Sequence, residues 1–360
     1  MRVYVYPADE TGCGYYRLIW PARELIKRGH DIKLIMPGED RMLTARLDAD
    51  GVPMEVFIPD DADVIVMQRP THGPLAACIP LIRAKGVAVV VDMDDDLSRI
   101  HPKNPAWRAM HPNPEMKFGT KMVQHSWENA RIGSHYATLV TLSTDALIQR
   151  YARHGRSRVI RNCVPESFFD IVHRDSDAIG WPASIQSHPD DPNACGGGVA
   201  AVLSAAEQRL VVIGTPGGVN AAFGLGHEPI CPGPVTLDDY PHVVSKMIGI
   251  GIAPLADTQF NAAKSWLKPL ELAALGIPVV MSPRAEYAKI HQLGVGLIAR
   301  HTSNWQRQLA RLVTRPELRA EVAERGRAVA REWTIEKRAQ DWADAWQHAY
   351  EIERSVVRSG

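Results

Sequence analysis

The sequence has few cysteines, and their arrangement argues against two kinds of site. Its 360 residues include five cysteines, and no two of them form a C-x-x-C pair. An odd, scattered set argues against a disulfide framework, and the missing pairs argue against a zinc site. We therefore expect free thiols and a reducing, cytoplasmic location.

The chain also lacks net charge and long apolar runs. Lysines and arginines together number 41, and aspartates and glutamates also number 41. A polyanion would therefore have to be met by a local basic patch, because no global positive charge attracts it. No segment approaches the roughly 18 apolar residues of a membrane span, and no signal segment follows Met1. We expect a protein that neither crosses a membrane nor is secreted.

The composition is that of a soluble globular protein, with 45% hydrophobic and 23% charged residues, and the length predicts two domains. Short, β-branched, nearly continuously apolar segments alternate with helical ones, which is typical of parallel strands buried on both faces. In the first half these segments are 2–6, 31–36, 62–67, 86–93 and 137–143. After a polar interruption at 161–177 they are 177–181, 209–214, 247–255 and 276–282. The pattern predicts two doubly wound α/β sheets.

The stretch KSWLKPLELAALGIPVVMS, residues 264–282, places a cationic segment before an apolar helix and a buried strand. A helix N-terminus offers free N–H groups and partial positive charge, so Lys264, Ser265 and Lys268 predict a diphosphate site. Glu271 follows Lys268 by one helical turn, and a carboxylate can accept hydrogen bonds from both hydroxyls of a ribose. The pattern predicts a nucleoside diphosphate site; an exposed lysine pair and a solvated glutamate would have the same spacing.

The segment PLELAALGIPVV, residues 269–280, resembles the nucleotide-binding signature of retaining GT-B glycosyltransferases of the family 4-like group. The wider segment 260–282 is similar to a variant in stand-alone bacterial and bacteriophage members. Weaker matches follow the expected order at 12–32, 89–97, 141–151 and 159–169. The resemblance implies two Rossmann-like doubly wound domains facing across a cleft. One would span 1–165 and be completed by 334–360, and the other, which binds the nucleotide sugar, would span 170–333.

The resemblance also implies the reaction. A sugar would pass from a UDP- or GDP-type donor to an acceptor hydroxyl, with retention of anomeric configuration and with no metal or other cofactor. The acceptor would be a protein, a glycan, a small molecule or a modified phage DNA base, and the zero net charge disfavours DNA. A sugar-nucleotide epimerase or phosphorylase of the same architecture, or a nucleotide-sugar-binding protein without turnover, remains an alternative. A monomer and a homodimer are both compatible with the sequence.

One position departs from the family signature. The usual signature has a second glutamate, ascribed to donor-sugar contact, at the position occupied here by Ala263. We expect Asn261, or backbone amides between Asn261 and Ser265, to take over that contact. A second group of donor-site candidates lies near the N-terminus, where Gly12 and Gly14 would let the backbone approach the donor phosphates or the acceptor.

Arg17, in the same segment, would add positive charge to this donor site. A plain strand-to-helix turn also explains the two glycines, because the full dinucleotide-binding fingerprint is absent.

The aspartates at 92, 94, 95 and 96 follow a buried strand, at the edge where α/β proteins bind ligands. Such a run also occurs in solvated acidic turns, and four carboxylates can bind a divalent cation. Because the resembled family generally works without a metal, we assign Asp94 and Asp96 to acceptor binding or base chemistry. His188, in the loop after the first strand of the second domain, is the third catalytic candidate.

The C-terminal tail carries Trp342, Trp346 and Tyr350 at spacings of one helical turn. Three large rings on one helical face present too much apolar area to remain in water. In the resembled fold the C-terminal helix crosses back to the first domain, so we predict that Trp342 and Trp346 pack on residues 1–165. Packing within the second domain, or against a second copy of the chain, is the alternative.

Overall fold

The structure, a computed structural model, describes residues 1–40, 43–111, 117–118, 121–122 and 125–359. The chain divides into two compact units. The first unit is formed by 1–100, 106–162 and 335–360, and the second by 101–105 and 163–334. The division at Asn162 and Cys163 lies inside the polar interruption of the sequence, residues 161–177.

Strands and helices alternate through both units. The strands are Val3–Tyr6 (β1), Ile32–Leu34 (β2), Thr44–Leu47 (β3), Pro53–Phe57 (β4), Val64–Gln68 (β5), Ala88–Met93 (β6), Lys117–Phe118 (β7), Lys121–Met122 (β8), Leu139–Leu142 (β9), Ser157–Val159 (β10), Ile179–Trp181 (β11), Val211–Val212 (β12), Ile250–Ala253 (β13), Val279–Met281 (β14) and Leu297–Ile298 (β15).

The helices are Gly12–Gly14 (α1), Trp20–Lys27 (α2), Gly73–Ala84 (α3), Trp107–Met110 (α4), Ser126–Tyr136 (α5), Ile148–Tyr151 (α6), Gly198–Ala205 (α7), Val219–Phe223 (α8), Tyr240–Met247 (α9), Gln259–Ala262 (α10), Leu267–Ala274 (α11), Ala285–Leu293 (α12), Thr302–Thr314 (α13), Pro316–Ala330 (α14) and Ile335–Ser359 (α15). A π-helical segment, Tyr15–Ile19, joins α1 to α2. Among the described residues, no helix has the length and apolar character needed to cross a membrane.

The first unit contains a six-stranded parallel sheet in the order β10-β9-β6-β5-β1-β2. The central strands are fully buried, because their continuous apolar runs face helices on both sides. The chain runs from β1 to β2 on one side and then to β5 on the other. The strand order therefore reverses between β1 and β5, and the loops that follow these two strands meet at the carboxyl edge.

The second unit contains a five-stranded parallel sheet in the order β12-β11-β13-β14-β15. Its core forms around Trp181 and Trp305, which are both almost completely buried. Here the order reverses between β11 and β13. In open α/β sheets, ligands bind outside the carboxyl ends of the strands at such a reversal, so each unit has one position that is topologically suited to a site.

Every segment that the sequence predicts as a strand coincides with one in the structure. The additional strands are short and lie away from the sheet centres. They include the edge strands β10 and β15 and the antiparallel hairpin β3–β4. Most residues of β3 are exposed, so the hairpin lacks the apolar run by which the buried strands are recognised.

Helix α15 belongs to the first unit, as the sequence predicts for the C-terminal tail. It packs on α2 and across β5, β6 and β9. Trp342 and Trp346 are 0% and 1% exposed. The indole Nε1 of Trp342 donates a hydrogen bond of 2.7 Å to the backbone oxygen of Arg17. The last helix of the chain therefore completes the core that the first strands begin.

We predict that Trp342→Ala lowers the free energy of unfolding by about 3–5 kcal/mol, the usual loss when a buried tryptophan is truncated. Trp342→Phe should lower it less, since the six-membered ring is kept and only the pyrrole ring, with its bond to Arg17, is lost. Gln347→Ala, on the exposed face of the same helix, is the control. Urea unfolding followed by circular dichroism measures all three; equal midpoints for Trp342→Ala and Gln347→Ala would contradict the packing assignment.

Candidate functional site

The strand reversal in the second unit is organised by one buried carboxylate, Asp191, which is 3% exposed. Its Oδ1 accepts hydrogen bonds from the backbone N–H of Ala256 at 3.0 Å and from Asn261 Nδ2 at 2.6 Å. Its Oδ2 lies 2.8 Å from Nδ1 of His188. Asp191 follows β11 and Ala256 follows β13, so this carboxylate joins the two loops that meet at the reversal.

The contact with Asp191 also determines how His188 can act. A carboxylate only accepts hydrogen bonds, so Nδ1 of His188 carries the shared proton. Nε2 is then the ring atom available to a ligand, and the side chain is 25% exposed. Two residues predicted from the sequence, His188 and Asn261, are thus brought to a common partner that the sequence analysis did not identify.

A second polar cluster joins α11 to the start of α9. It consists of Lys268 and Glu271 on α11 and Tyr240 on α9, and we call it the α11 cluster. Lys268 Nζ donates to Glu271 Oε2 at 2.8 Å and to the hydroxyl of Tyr240 at 2.7 Å. The Tyr240 hydroxyl in turn donates to Glu271 Oε2 at 3.1 Å. Glu271 is 3% exposed, so it is not the solvated glutamate that its spacing alone would allow.

Electrostatics keep the α11 cluster charged. Burial alone would lower the pKa of Lys268, but the Glu271 carboxylate and the Tyr240 hydroxyl outweigh that effect and hold the pKa above its ordinary value. Burial, and then the charge of Glu271, raise the pKa of Tyr240. At neutral pH, Lys268 is therefore an ammonium ion and Tyr240 a neutral hydrogen-bond donor.

The remaining candidates of this segment lie between α10 and α11. Lys264 and Ser265 are both half-buried, and Lys264 Nζ lies 4.6 Å from the centre of the Phe260 ring. Ala263, at the position where the resembled family has its second glutamate, is 5% exposed. A methyl group therefore occupies a buried position there and offers no polar contact to a ligand.

In the first unit, the reversal lies beside Gly12 and Gly14. A Cβ atom on Gly14 would lie 1.8 Å from the backbone oxygen of Asp9, whereas one on Gly12 would meet nothing within 4 Å. Asp9 Oδ1 also accepts from the backbone N–H of Gly14 at 3.1 Å. Close packing on Asp9 thus accounts for glycine at position 14, and the space around Gly12 stays open.

Arg17 occupies a different position from the ligand-facing one predicted for it. Its side chain is 1% exposed and forms a two-pronged ion pair with Asp92, with Nε–Oδ1 at 3.0 Å and Nη2–Oδ2 at 2.8 Å. Nη1 donates to the backbone oxygen of Ile160 and to Asn162 Oδ1. These partners of the guanidinium all belong to the first unit, so the structure gives Arg17 a structural role.

Asp94 and Asp96 are likewise engaged by arginines. Arg69 donates two hydrogen bonds to Asp94, of which the Nε–Oδ1 bond is 2.6 Å. Burial alone would raise the pKa of Asp94, but the Arg69 guanidinium outweighs it and holds the pKa well below its usual range. Asp96 accepts from Ser98 Oγ and from Arg150 Nε. A carboxylate with a depressed pKa is a weak base, so this geometry favours positioning over proton transfer for Asp94.

Arg69 itself is a residue that the sequence analysis missed. It directly follows β5 at the reversal, and its backbone φ of 46° lies in the left-handed region that favours glycine. Such strain, about 1–3 kcal/mol, concentrates at functional sites. The signal in the sequence is only that a basic residue directly follows a buried strand.

Among the described residues, no group of three or more histidines, cysteines, aspartates or glutamates is arranged to hold a metal ion.

We predict that Asp191→Ala lowers the free energy of unfolding by about 3 kcal/mol or more, because a buried backbone N–H and a buried amide lose their acceptor together. Asp190→Ala is the matched control, since the neighbouring carboxylate is 38% exposed and lies 3.3 Å from Nε2 of His101. Denaturant unfolding compares the two variants. An Asp191→Ala variant as stable as Asp190→Ala would show that the loops after β11 and β13 are held by other contacts.

The comparison of sequences gives a match in the second half of the chain. Residues 232–344 match the family model described as Glycosyl transferase-like. The matched span includes the whole α11 cluster. No curated protein sequence matches the chain.

Solved structures are similar over nearly the whole chain. Sucrose-phosphate synthase from Thermosynechococcus elongatus has a TM-score of 0.61 at 11% identity, covering 98% of this chain and 100% of that one. HepE from Anabaena, in complex with UDP, has a TM-score of 0.60 at 12% identity, covering 97% and 100%. AviGT4, a glycosyltransferase involved in avilamycin A biosynthesis, has a TM-score of 0.60 at 15% identity, covering 98% of each chain.

These comparisons confirm the fold that the sequence predicts. The chain has the GT-B architecture of two parallel-sheet α/β units, and residues 232–344 are similar to the Glycosyl transferase-like family model.

Proposed function

We propose that the protein is a glycosyltransferase that moves a sugar from a nucleoside diphosphate sugar to an acceptor hydroxyl. The observation that carries the proposal is the α11 cluster, in which a buried glutamate and a charged lysine of α11 contact a tyrosine of α9. This cluster lies inside the segment that matches the Glycosyl transferase-like family model. It supplies a cation for the diphosphate and a carboxylate for the ribose of a nucleoside diphosphate.

Lys268 and the N-terminus of α11 would bind the diphosphate. The helix N-terminus contributes N–H groups and partial positive charge, and the ammonium of Lys268 contributes a full charge. Glu271 would bind the ribose, because its carboxylate can accept hydrogen bonds from both ribose hydroxyls. HepE is solved with UDP, and also with UDP and glucose, which supports UDP as the first donor nucleotide to test.

The sugar would lie near Asp191, where His188 and Asn261 converge. Asn261 is 4% exposed, and its side chain is hydrogen-bonded to Asp191. We therefore propose that His188 Nε2 and backbone groups near Asn261 contact the donor sugar. They would replace the glutamate that the resembled family has at the position of Ala263. The rate acceleration would come from fixed orientation and from electrostatic stabilisation of the departing diphosphate.

Three finer features belong to the same proposal. Retention of anomeric configuration, and membership of the family 4-like group with its bacteriophage members, rest on the similarity of segment 260–282. A cytoplasmic location is supported by five free cysteines, of which three are buried. The anomeric configuration of the product, determined by NMR, tests retention directly.

We predict that Glu271→Gln weakens UDP binding by about 1.5–3 kcal/mol, or roughly 10- to 150-fold, because a charged acceptor for the ribose hydroxyls is lost. Isothermal titration calorimetry at a temperature well below unfolding measures the change. The matched control is Glu353→Gln in the first unit. Glu353 is also 3% exposed and accepts from one cation, Arg83, and one hydroxyl, that of Thr138.

The control separates folding from binding. Both glutamate variants should lose stability, since each leaves a partly buried cation with a weaker partner, but only Glu271→Gln should lose UDP affinity. Equal UDP affinity in the two variants would remove Glu271 from the site. Wild-type protein that binds UDP-glucose yet releases no UDP with any acceptor, water included, would favour a nucleotide-sugar-binding protein.

We further predict that turnover persists in excess EDTA. The carboxylates that could compete for a divalent cation, Asp94 and Asp96, are each paired with an arginine, and the proposed diphosphate site uses Lys268 and a helix N-terminus. UDP release measured with and without chelator tests this. Activity abolished by EDTA and restored by Mg²⁺ or Mn²⁺ would assign diphosphate binding to a metal ion.

A further inference from the structure

A second candidate site lies in the first unit, in a cavity of about 310 Å³ between α5 and α6. Three arginines contribute to its wall: Arg131 on α5, Arg150 on α6, and Arg153 just after α6. His135 and His154 line it as well. No aspartate or glutamate is part of this lining within the described portion of the chain. The sequence analysis found no global positive charge, and this cavity is a local concentration of it.

The charge of the cavity is only partly compensated. Arg150 Nε lies 3.2 Å from the carboxylate of Asp96. Arg153 Nε donates to the backbone oxygen of Gln149, which carries no charge. Within the ranges the structure describes, neither Arg131 nor Arg153 has a carboxylate partner. Burial lowers the pKa of His154, so the positive charge at neutral pH comes from the arginines.

The cavity also has an aromatic wall. Trp127, in the first turn of α5, and Tyr151, at the end of α6, line it. The Tyr151 hydroxyl is occupied, because it accepts from the backbone N–H of Leu97 and donates to the backbone oxygen of Asp95. The indole Nε1 of Trp127 is itself buried, so the ring of Trp127, and not its N–H, lines the cavity.

We propose that this cavity binds a phosphorylated sugar ring. Guanidinium groups donate paired hydrogen bonds to phosphate oxygens, which the uncompensated Arg131 and Arg153 are able to do. A sugar ring would then pack on the indole of Trp127, which lines the cavity. The volume is at the lower end of the roughly 300–1,000 Å³ that small-ligand pockets span, so one phosphate with one ring fits better than a larger ligand.

Two sources share this chemistry: a free sugar phosphate and a nucleotide unit of a nucleic acid strand. All the lining residues belong to the first unit, whereas the α11 cluster belongs to the second. The inference therefore stands independently of the proposed donor site, and variants of the cavity leave the residues of that site intact.

The test uses the double variant Arg131→Gln/Arg153→Gln. Both arginines are exposed at the rim of the cavity, so the variant is expected to fold, and circular dichroism checks this. The matched control is Arg307→Gln/Arg315→Gln, which removes two exposed charges from the second unit. The probes are ribose 5-phosphate, glucose 1-phosphate and a fluorescein-labelled single-stranded oligothymidylate. Calorimetry measures the sugar phosphates and fluorescence anisotropy the oligonucleotide, at two salt concentrations.

We expect wild-type protein and the control to bind at least one probe with equal affinity, and the cavity variant to bind it at least about tenfold more weakly, the effect of losing charged hydrogen bonds. Binding of a sugar phosphate alone would identify a small ligand; binding of the oligonucleotide, weakening as salt rises, would identify a nucleic acid strand. No binding of any probe by the wild type, equal binding by the cavity variant, or an equal loss in the control would overturn the proposal.

Discussion

The buried ion pair between Arg17 and Asp92 is the interaction on which the first unit depends. Thr141 Oγ1 donates to Asp92 at 2.7 Å, and the Trp342 ring lies 5.6 Å from the Arg17 guanidinium. The pair therefore joins the helix after β1 to β6, to β9 and to the C-terminal helix. Two buried charges are costly to desolvate, and removing one partner of such a pair typically costs about 3–5 kcal/mol. At the carboxyl edge, the loops after β6, β9 and β10 therefore leave from elements that this pair contacts.

The second unit solves the same problem with a carboxylate that binds neutral donors. Asp191 holds the two loops at its strand reversal through a backbone N–H and an amide, and it orients a histidine with its other oxygen. In the first unit the buried Asp92 is thus hydrogen-bonded by an arginine, and in the second the buried Asp191 is hydrogen-bonded by a loop backbone N–H and an amide side chain. The two carboxylates therefore have different chemical roles. The charge of Asp92 is neutralised by Arg17 inside the core, whereas Asp191 fixes the orientation of the partly exposed His188 ring.

The sequence predicted the sheets well because buried parallel strands leave a continuous apolar record. It also brought Lys268 and Glu271 together correctly, because residues one helical turn apart are neighbours wherever the helix lies. Asp191 was missed, since the surrounding prolines, aspartates and glycines are typical of exposed turns, and its burial depends on Ala256, 65 residues away. Arg17 was interpreted as facing a ligand, since nothing local shows that its partner is Asp92, 75 residues further on.

The position of α15 has a consequence for how the protein emerges from the ribosome. The bond from Trp342 to Arg17 joins residues 325 positions apart, and residues 163–334 of the second unit lie between them. The second unit can therefore close its core while the first still lacks two of its largest side chains. Domains usually fold in the order of synthesis, but here the first unit is the last to have all of its residues synthesised. Until translation reaches α15, the surfaces of α2 and β6 that it covers remain exposed to chaperones and to neighbouring chains.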